Sequence, residues 1–188
     1  EAATHSVLGH VADKCRVALL LIDVINPLDF PEAEALLRDA IPMAREIKAL
    51  KQQAQQQRVP IIYVNDNFGR WRSDLQAQVK HCLSPEVRGR PIVELLQPTP
   101  TDYFVLKPKH SGFFSTTLDT LLQHLETKVL IIAGMATNIC VLFTANDAYM
   151  RDYELVIPVD CVAANSREDT DYALRQMRDI LKATTPPW

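Results

Sequence analysis

An acid, a lysine and a thiol capable of acting together on a carbonyl carbon stand far apart in this chain, at Asp23, Lys107 and Cys140. Each follows a short apolar run. The thiol closes the stretch Gly134-Met135-Ala136-Thr137-Asn138-Ile139-Cys140, which comes after Val129–Ala133 and leads into a helical pattern. A thiol at the first turn of a helix feels the positive end of the helix dipole and free N–H groups, which favour the thiolate. The same N–H groups can hold the oxyanion formed when sulfur attacks a carbonyl. A carboxylate such as Asp23 can take the thiol proton and later pass it to a leaving amine, provided burial or a like charge raises its pKa. Lys107 can position that carboxylate, favour the thiolate and stabilise charge on the substrate. Each residue also has a plain structural reading: a small core residue for Cys140, a turn former or cap for Asp23 and a solvated side chain for Lys107. The combination carries the hypothesis.

The elements that would position these residues are legible as an alternation. Apolar runs without internal alternation occur at Val17–Ile22, Ile61–Val64, Tyr103–Leu106, Val129–Ala133 and Leu155–Val159. Such runs suit strands of a parallel sheet buried on both faces. Helical patterns separate or follow them at Glu32–Gln57, roughly Trp71–Cys82, Thr116–Leu125, Asn138–Met150 and Ser166–Leu181. The last opens with Ser166 and Asp169 at capping-box spacing. The alternation predicts an α/β fold, a single doubly wound domain over residues 1–188 with helices on both faces of a mostly parallel sheet. An irregular, partly helical insertion is expected at about 66–100, where Pro85, Pro91, Pro98 and Pro100 fall. In such sheets ligands bind beyond the carboxyl ends of the strands, which is where Asp23, Lys107 and Cys140 stand.

Composition narrows the function. The 188 residues are 47% hydrophobic and 23% charged with a net charge of −3, ordinary for a soluble globular domain and unsuited to nucleic acid as the main partner. No apolar run approaches the roughly 18 residues of a membrane span, and no secretory signal is read. The first residue is Glu1, so the sequence does not identify the native N-terminus. Cys15, Cys82, Cys140 and Cys161 lack CxxC spacing, which fits neither a zinc site nor a disulfide scaffold. A cytoplasmic location is expected.

Three ordered motifs resemble one known family. Leu19-Leu20-Leu21-Ile22-Asp23-x-x-Asn26 is similar to the opening motif of isochorismatase-like cysteine hydrolases. Lys107-Pro-Lys-His-Ser111-Gly112-Phe113-Phe114-x-Thr116-x-Leu118 resembles their lysine motif. Gly134-Met-Ala-Thr137-Asn-Ile-Cys140-Val141-x-x-Thr144-Ala145-x-Asp147-Ala148 resembles their nucleophile motif. The resemblance implies a six-stranded sheet in the order 3-2-1-4-5-6, an Asp23–Lys107–Cys140 triad, a cis peptide before Ala136 and an oxyanion hole formed by the Ala136 and Cys140 amides. That strand order sets Lys107 two strands from Asp23, about 10 Å at sheet spacing, a gap a lysine stem can cross. The residues themselves show only five strands, the tail after Leu181 being short and proline-rich.

Within the family, the presence of Cys140 and the run Lys107-Pro108-x-x-Ser111-Gly112-Phe113-Phe114 resemble the amidase branch, in particular N-carbamoyl hydrolases such as ureidoacrylate amidohydrolase. Nicotinamidases of the family carry a metal site of Asp and His after the second strand. Here Tyr63–Trp71 holds no histidine, so no metal and no cofactor is expected. Position 25 is Ile where the family usually has Gln. Phe30, Asn67, Trp71, Phe113 and Thr137 are the candidate substrate-binding residues, with Asn67 or Arg70 able to meet a substrate carbonyl or carboxylate. Core packing is the competing account for the aromatics.

The expected activity is hydrolysis of a small-molecule C–N amide or ureido bond through a thioester on Cys140. Two alternatives are a vinyl ether hydrolase with Asp23 as general acid, and a binding module without turnover. The apolar residues around the Asn138–Met150 helix, and the resemblance, imply a homodimer or homotetramer.

Overall fold

The computed structural model describes residues 14–69 and 74–188. Strands β1 (Val17–Ile22), β2 (Ile61–Asp66), β3 (Tyr103–Lys107), β4 (Val129–Met135) and β5 (Glu154–Val156) form a parallel sheet in the order β3-β2-β1-β4-β5. Side chains alternate across it. Ala18, Leu20 and Ile22 of β1 enter one core cluster, with residues of α4 (Leu118–His124), α5 (Leu142–Tyr149) and α6 (Arg167–Asp179). Leu19 and Leu21 enter the other, with α1 (Ala33–Gln56), α2 (Leu75–Cys82) and α3 (Arg90–Leu95). Burial on both faces is why these strands read as continuous apolar runs. The fold is the doubly wound α/β architecture expected.

The sixth strand departs from simple numerical order. β6 (Val162–Ala163) pairs with β4, not with β5, through Gly134↔Val162 and Met135↔Ala163. The reason is length: β5 covers only Val129–Ile131 of β4, leaving the end of that edge for β6. The proline-rich tail meets β5 through the single parallel bridge Val156↔Thr184.

Helix α6 is capped as its sequence suggests, with Ser166 Oγ accepting from the Asp169 amide at 3.1 Å. Helix α2 starts at Leu75, its first turn capped by Asp74, which accepts from the Ala77 amide at 2.7 Å. Between β2 and β3, the expected insertion holds α2 and α3. The expected helix at Asn138–Met150 is two pieces, a π-type turn over Thr137–Val141 followed by α5. That widened turn carries Cys140.

Candidate active site

β1 ends at Ile22, and the next residue turns the chain out of the sheet. Asp23 takes a positive φ of 52°, a conformation Asp tolerates better than most residues, while its amide still bonds to the Val64 carbonyl at 3.0 Å. Its carboxylate is fixed from β2: Oδ1 accepts from the Asp66 amide at 2.6 Å. Lys107 is the last residue of β3, paired in register with Asp66, and is fully buried. Its stem reaches past β2 to the end of β1, where Nζ lies 2.9 Å from Asp23 Oδ2. The same Nζ donates to the Lys109 carbonyl at 3.2 Å and to Cys140 Sγ at 3.4 Å, with Asp66 Oδ2 at 3.6 Å.

Cys140 reaches this group from the end of β4. Gly134 brings β4 against β1: its φ is +122°, and a Cβ there would sit 2.1 Å from the Ile22 carbonyl oxygen. Only glycine allows that approach. The Met135–Ala136 peptide is cis, as the resemblance implies. The Ala136 carbonyl accepts from the amides of Ile139 at 3.1 Å and Val141 at 3.2 Å, the neighbours of Cys140 on either side.

The electrostatics correct one expectation. The helix-end argument favours a thiolate, but burial pushes the Cys140 thiol up to about 12, and the Asp23 carboxylate adds to the rise. Lys107 pulls it back only in part. The sulfur therefore rests protonated, beside its acceptor. Burial also raises Asp23 above its ordinary value, against the pull of the Lys107 charge and of its hydrogen bonds. Burial opposes the charge on Lys107, but Asp23, Cys140 and Asp66 outweigh it and hold the ammonium above its usual range.

The remaining candidates are distributed unevenly. Asn67 is buried at the end of β2; its amide bonds to the Lys107 carbonyl at 3.1 Å, and its Oδ1 accepts from Gly69 at 2.9 Å. Thr137 is fully buried on the Cys140 turn, and its hydroxyl has no hydrogen-bond partner. Phe113 is buried between other side chains, its ring 6.1 Å from that of Tyr153 and 4.8 Å beneath the Arg151 guanidinium. Phe30 packs against the core cluster of α1, and its carbonyl accepts from Arg88. Trp71 and Arg70 lie outside the described residues. Sequence reasoning missed Asp66, whose position one residue before Asn67 at a strand end was the available signal. Among the described residues, no group of three or more His, Cys, Asp and Glu is placed to hold a metal ion.

Comparison with known proteins places the chain in a family. The sequence profile of the Isochorismatase domain matches residues 17–186. The chain belongs to the isochorismatase family. It is 45% identical to the isochorismatase family protein YaaI of Bacillus subtilis (strain 168) over 172 residues, 92% of each chain. A shorter match, 39% identical over 69 residues, links it to ureidoacrylate amidohydrolase RutB of Methylorubrum extorquens, covering 37% of this chain and 28% of that one. Among solved structures, an isochorismatase family protein from Desulfovibrio vulgaris has the same fold, with a TM-score of 0.74 at 24% identity over 92% of this chain and 94% of the other. The protein is an isochorismatase-family hydrolase with amidase relatives. Among the described residues, no helix is long and apolar enough to cross a membrane.

Proposed function

We propose that Asp23, Lys107 and Cys140 act as one catalytic unit that hydrolyses a C–N bond of a small amide or ureido compound through a thioester. The observation that carries this reading is the fully buried Lys107 ammonium, whose Nζ lies 2.9 Å from the Asp23 carboxylate and 3.4 Å from the Cys140 sulfur. Such an arrangement keeps the sulfur protonated at rest and gives its proton somewhere to go when a substrate arrives.

Water is the one co-reactant the steps require. Asp23 accepts the thiol proton as Sγ bonds to the substrate carbonyl carbon, and the carbonyl π-electrons move onto oxygen. The amides of Ala136 and Cys140 donate to that oxyanion. As the C–N bond breaks, protonated Asp23 returns the proton to the leaving nitrogen. A water then gives its proton to Asp23 while its oxygen attacks the thioester, and sulfur leaves with its bonding electrons, recovering a proton from Asp23. Lys107 remains charged throughout and offsets the negative charge shared by carboxylate and sulfur.

Asn67 and Thr137 are the proposed polar contacts to substrate. The fully buried Thr137 hydroxyl lacks a partner in the protein, and a buried hydroxyl without one is costly. A substrate oxygen or nitrogen would satisfy it. The local match to a ureidoacrylate amidohydrolase supports the ureido class.

A panel of small amides and ureido acids, assayed for ammonia release with the wild type and Cys140→Ala, tests the reading. The wild type is expected to turn over at least one member and Cys140→Ala none at a comparable rate. Ammonia release retained in Cys140→Ala but lost in Asp23→Asn would sink the thioester and leave Asp23 acting on the C–N bond without the thiol.

A further inference from the structure

Two parts of the chain must stay in register for Lys107 to sit beside Cys140: the loop after β3 and the turn that opens into α5. Thr144, fully buried on α5, touches both. Its hydroxyl accepts from the Gly112 amide at 3.0 Å and donates to the Cys140 carbonyl at 2.7 Å. The one hydroxyl proton is spent on the nucleophile's own backbone and a lone pair on the lysine loop. The loop is tied again one helical step away, where Ser111 Oγ donates to the Asp147 carboxylate. Arg151 in turn holds Asp147, lying 3.5 Å from its Oδ1 and donating to its backbone carbonyl at 2.9 Å. Gly112 is pressed so closely into this joint that a Cβ would lie 2.6 Å from Val64 Cγ1. Between β3 and Gly112 the loop supplies the Lys109 carbonyl that accepts from Lys107 Nζ.

We propose that Thr144 is a positioning residue that locks the Lys107 loop to the Cys140 turn, with Ser111–Asp147 as its second fastening. The proposal rests on the reading of Cys140 as a nucleophile paired with Lys107. Thr144 touches neither the reacting atoms nor the ammonium; it acts by fixing the 3.4 Å separation between Nζ and Sγ. The charged groups that act on that sulfur are Asp23 and Lys107, with Asp66 behind them 3.6 Å from the ammonium, each from the end of a different strand. Of these only Lys107 favours the thiolate, and Coulomb attraction weakens as the pair separates. Loosening the loop therefore raises the thiol's proton affinity.

The test measures alkylation of Cys140 by iodoacetamide across a neutral-to-alkaline pH series, followed by peptide mapping, so it does not depend on turnover. Thr144→Val keeps the shape but deletes both hydrogen bonds. It is expected to slow Cys140 alkylation roughly tenfold at a given pH, equivalent to one unit of pKa, and Thr144→Ser is expected to restore the wild-type profile. Ser111→Ala, which spares the core, is expected to slow alkylation in the same direction by a smaller factor. Thermal melts establish that each variant is folded. A folded Thr144→Val with the wild-type profile, or a Thr144→Ser as slow as the valine variant, overturns the proposal. Should Thr144→Val not fold, an unchanged profile in both Ser111→Ala and Asp147→Asn overturns it equally. Failure of the hydrolase reading looks different: Cys140→Ala would keep its turnover whatever the alkylation profiles show.

Discussion

The Asp66 amide holds Asp23 Oδ1 at 2.6 Å while the Asp66 carboxylate stands 3.6 Å from Lys107 Nζ. One residue at the end of β2 thus fixes the proposed base with its backbone and adds a second negative charge near the ammonium with its side chain. The two contributions separate by mutation, because Asp66→Asn keeps the amide and removes only the charge. Losing a negative charge makes every proton in the site easier to lose. Both limbs of the kcat/KM–pH profile are therefore expected to move to lower pH, by less than about one unit because the Asp66 side chain is partly exposed. A profile that keeps its limbs and only loses amplitude would assign Asp66 a structural part alone.

Thiol reactivity and turnover should part company at Asp23. Its charge helps hold the Cys140 thiol up at about 12. Asp23→Asn is expected to speed alkylation of Cys140 at neutral pH, yet to lower turnover by ~10²–10⁴-fold through loss of the proton acceptor. Lys107→Met should slow both, since the group favouring the thiolate is gone. Equal slowing of alkylation in the two variants would contradict the opposing electrostatic roles.

The acid limb of kcat/KM carries a sign that can be checked. Asp23 must be ionised to accept the thiol proton, and burial raises its pKa. Activity is expected to appear as pH rises through a value above the ordinary carboxylate range and to fall away below it. Because Asp23, Lys107 and Cys140 are coupled, the limb reports the group as a whole. An acid limb at or below the ordinary value of 3.8 would mean the site is wetter than its geometry indicates.

What the sequence discloses and what it hides follow from locality. The runs Val17–Ile22 and Val129–Ala133 announce buried parallel strands because nearly all their residues are buried on one face or the other, and the candidate chemistry falls at their ends because that is where such sheets bind ligands. The Ser166 cap is equally local. The two-residue β6 leaves no periodicity to read, and α3 is a six-residue helix in a proline-rich stretch. Asp23 and Lys107 are visible as strand-end residues, but the high proton affinity of Cys140 comes from burial and from Asp23, which stands far away in sequence. Phe113 reads as a pocket aromatic from its motif and turns out to lie under Arg151, a contact set by how α5 ends. Thr144 and Asp147 stand in the motif as residue types; their purpose exists only once the lysine loop is folded onto them.

The buried ion pair beneath the insertion makes a stability prediction independent of the site. Lys51 Nζ on α1 bonds Asp102 Oδ2 at 2.8 Å, the Tyr63 hydroxyl at 2.8 Å and the Gln97 carbonyl at 2.9 Å, with the Lys51 and Asp102 side chains 8% and 3% exposed. Tyr63 donates onward to the Leu96 carbonyl at 2.7 Å. The network pins α1 and β2 to the start of β3. Lys51→Met leaves Asp102 charged and buried without its cation, and is expected to cost about 3–5 kcal/mol in denaturant unfolding. A loss below about 1 kcal/mol would show that water or a rearranged loop replaces the lysine.

The outer face of α5 and of the turn before it predicts association. Val141, Ala145 and Ala148 point into the core, yet Ile139, Phe143, Tyr149 and Met150 remain 38%, 49%, 42% and 73% exposed, and Phe114 on the lysine loop is 54% exposed. Phe143 meets the ring of His110 from that same loop, 5.4 Å between centroids, so the apolar surface continues from the helix towards the rim of the site. A helix apolar on two sides needs cover on both, and burial of large aromatics dominates interface energy. Light scattering at micromolar concentration is expected to give at least a dimer mass. Phe143→Glu combined with Met150→Glu should shift the protein towards monomer without lowering its melting temperature in proportion, since neither side chain fills the core. A wild-type monomer under those conditions would leave this face as ordinary surface and remove the association from the account.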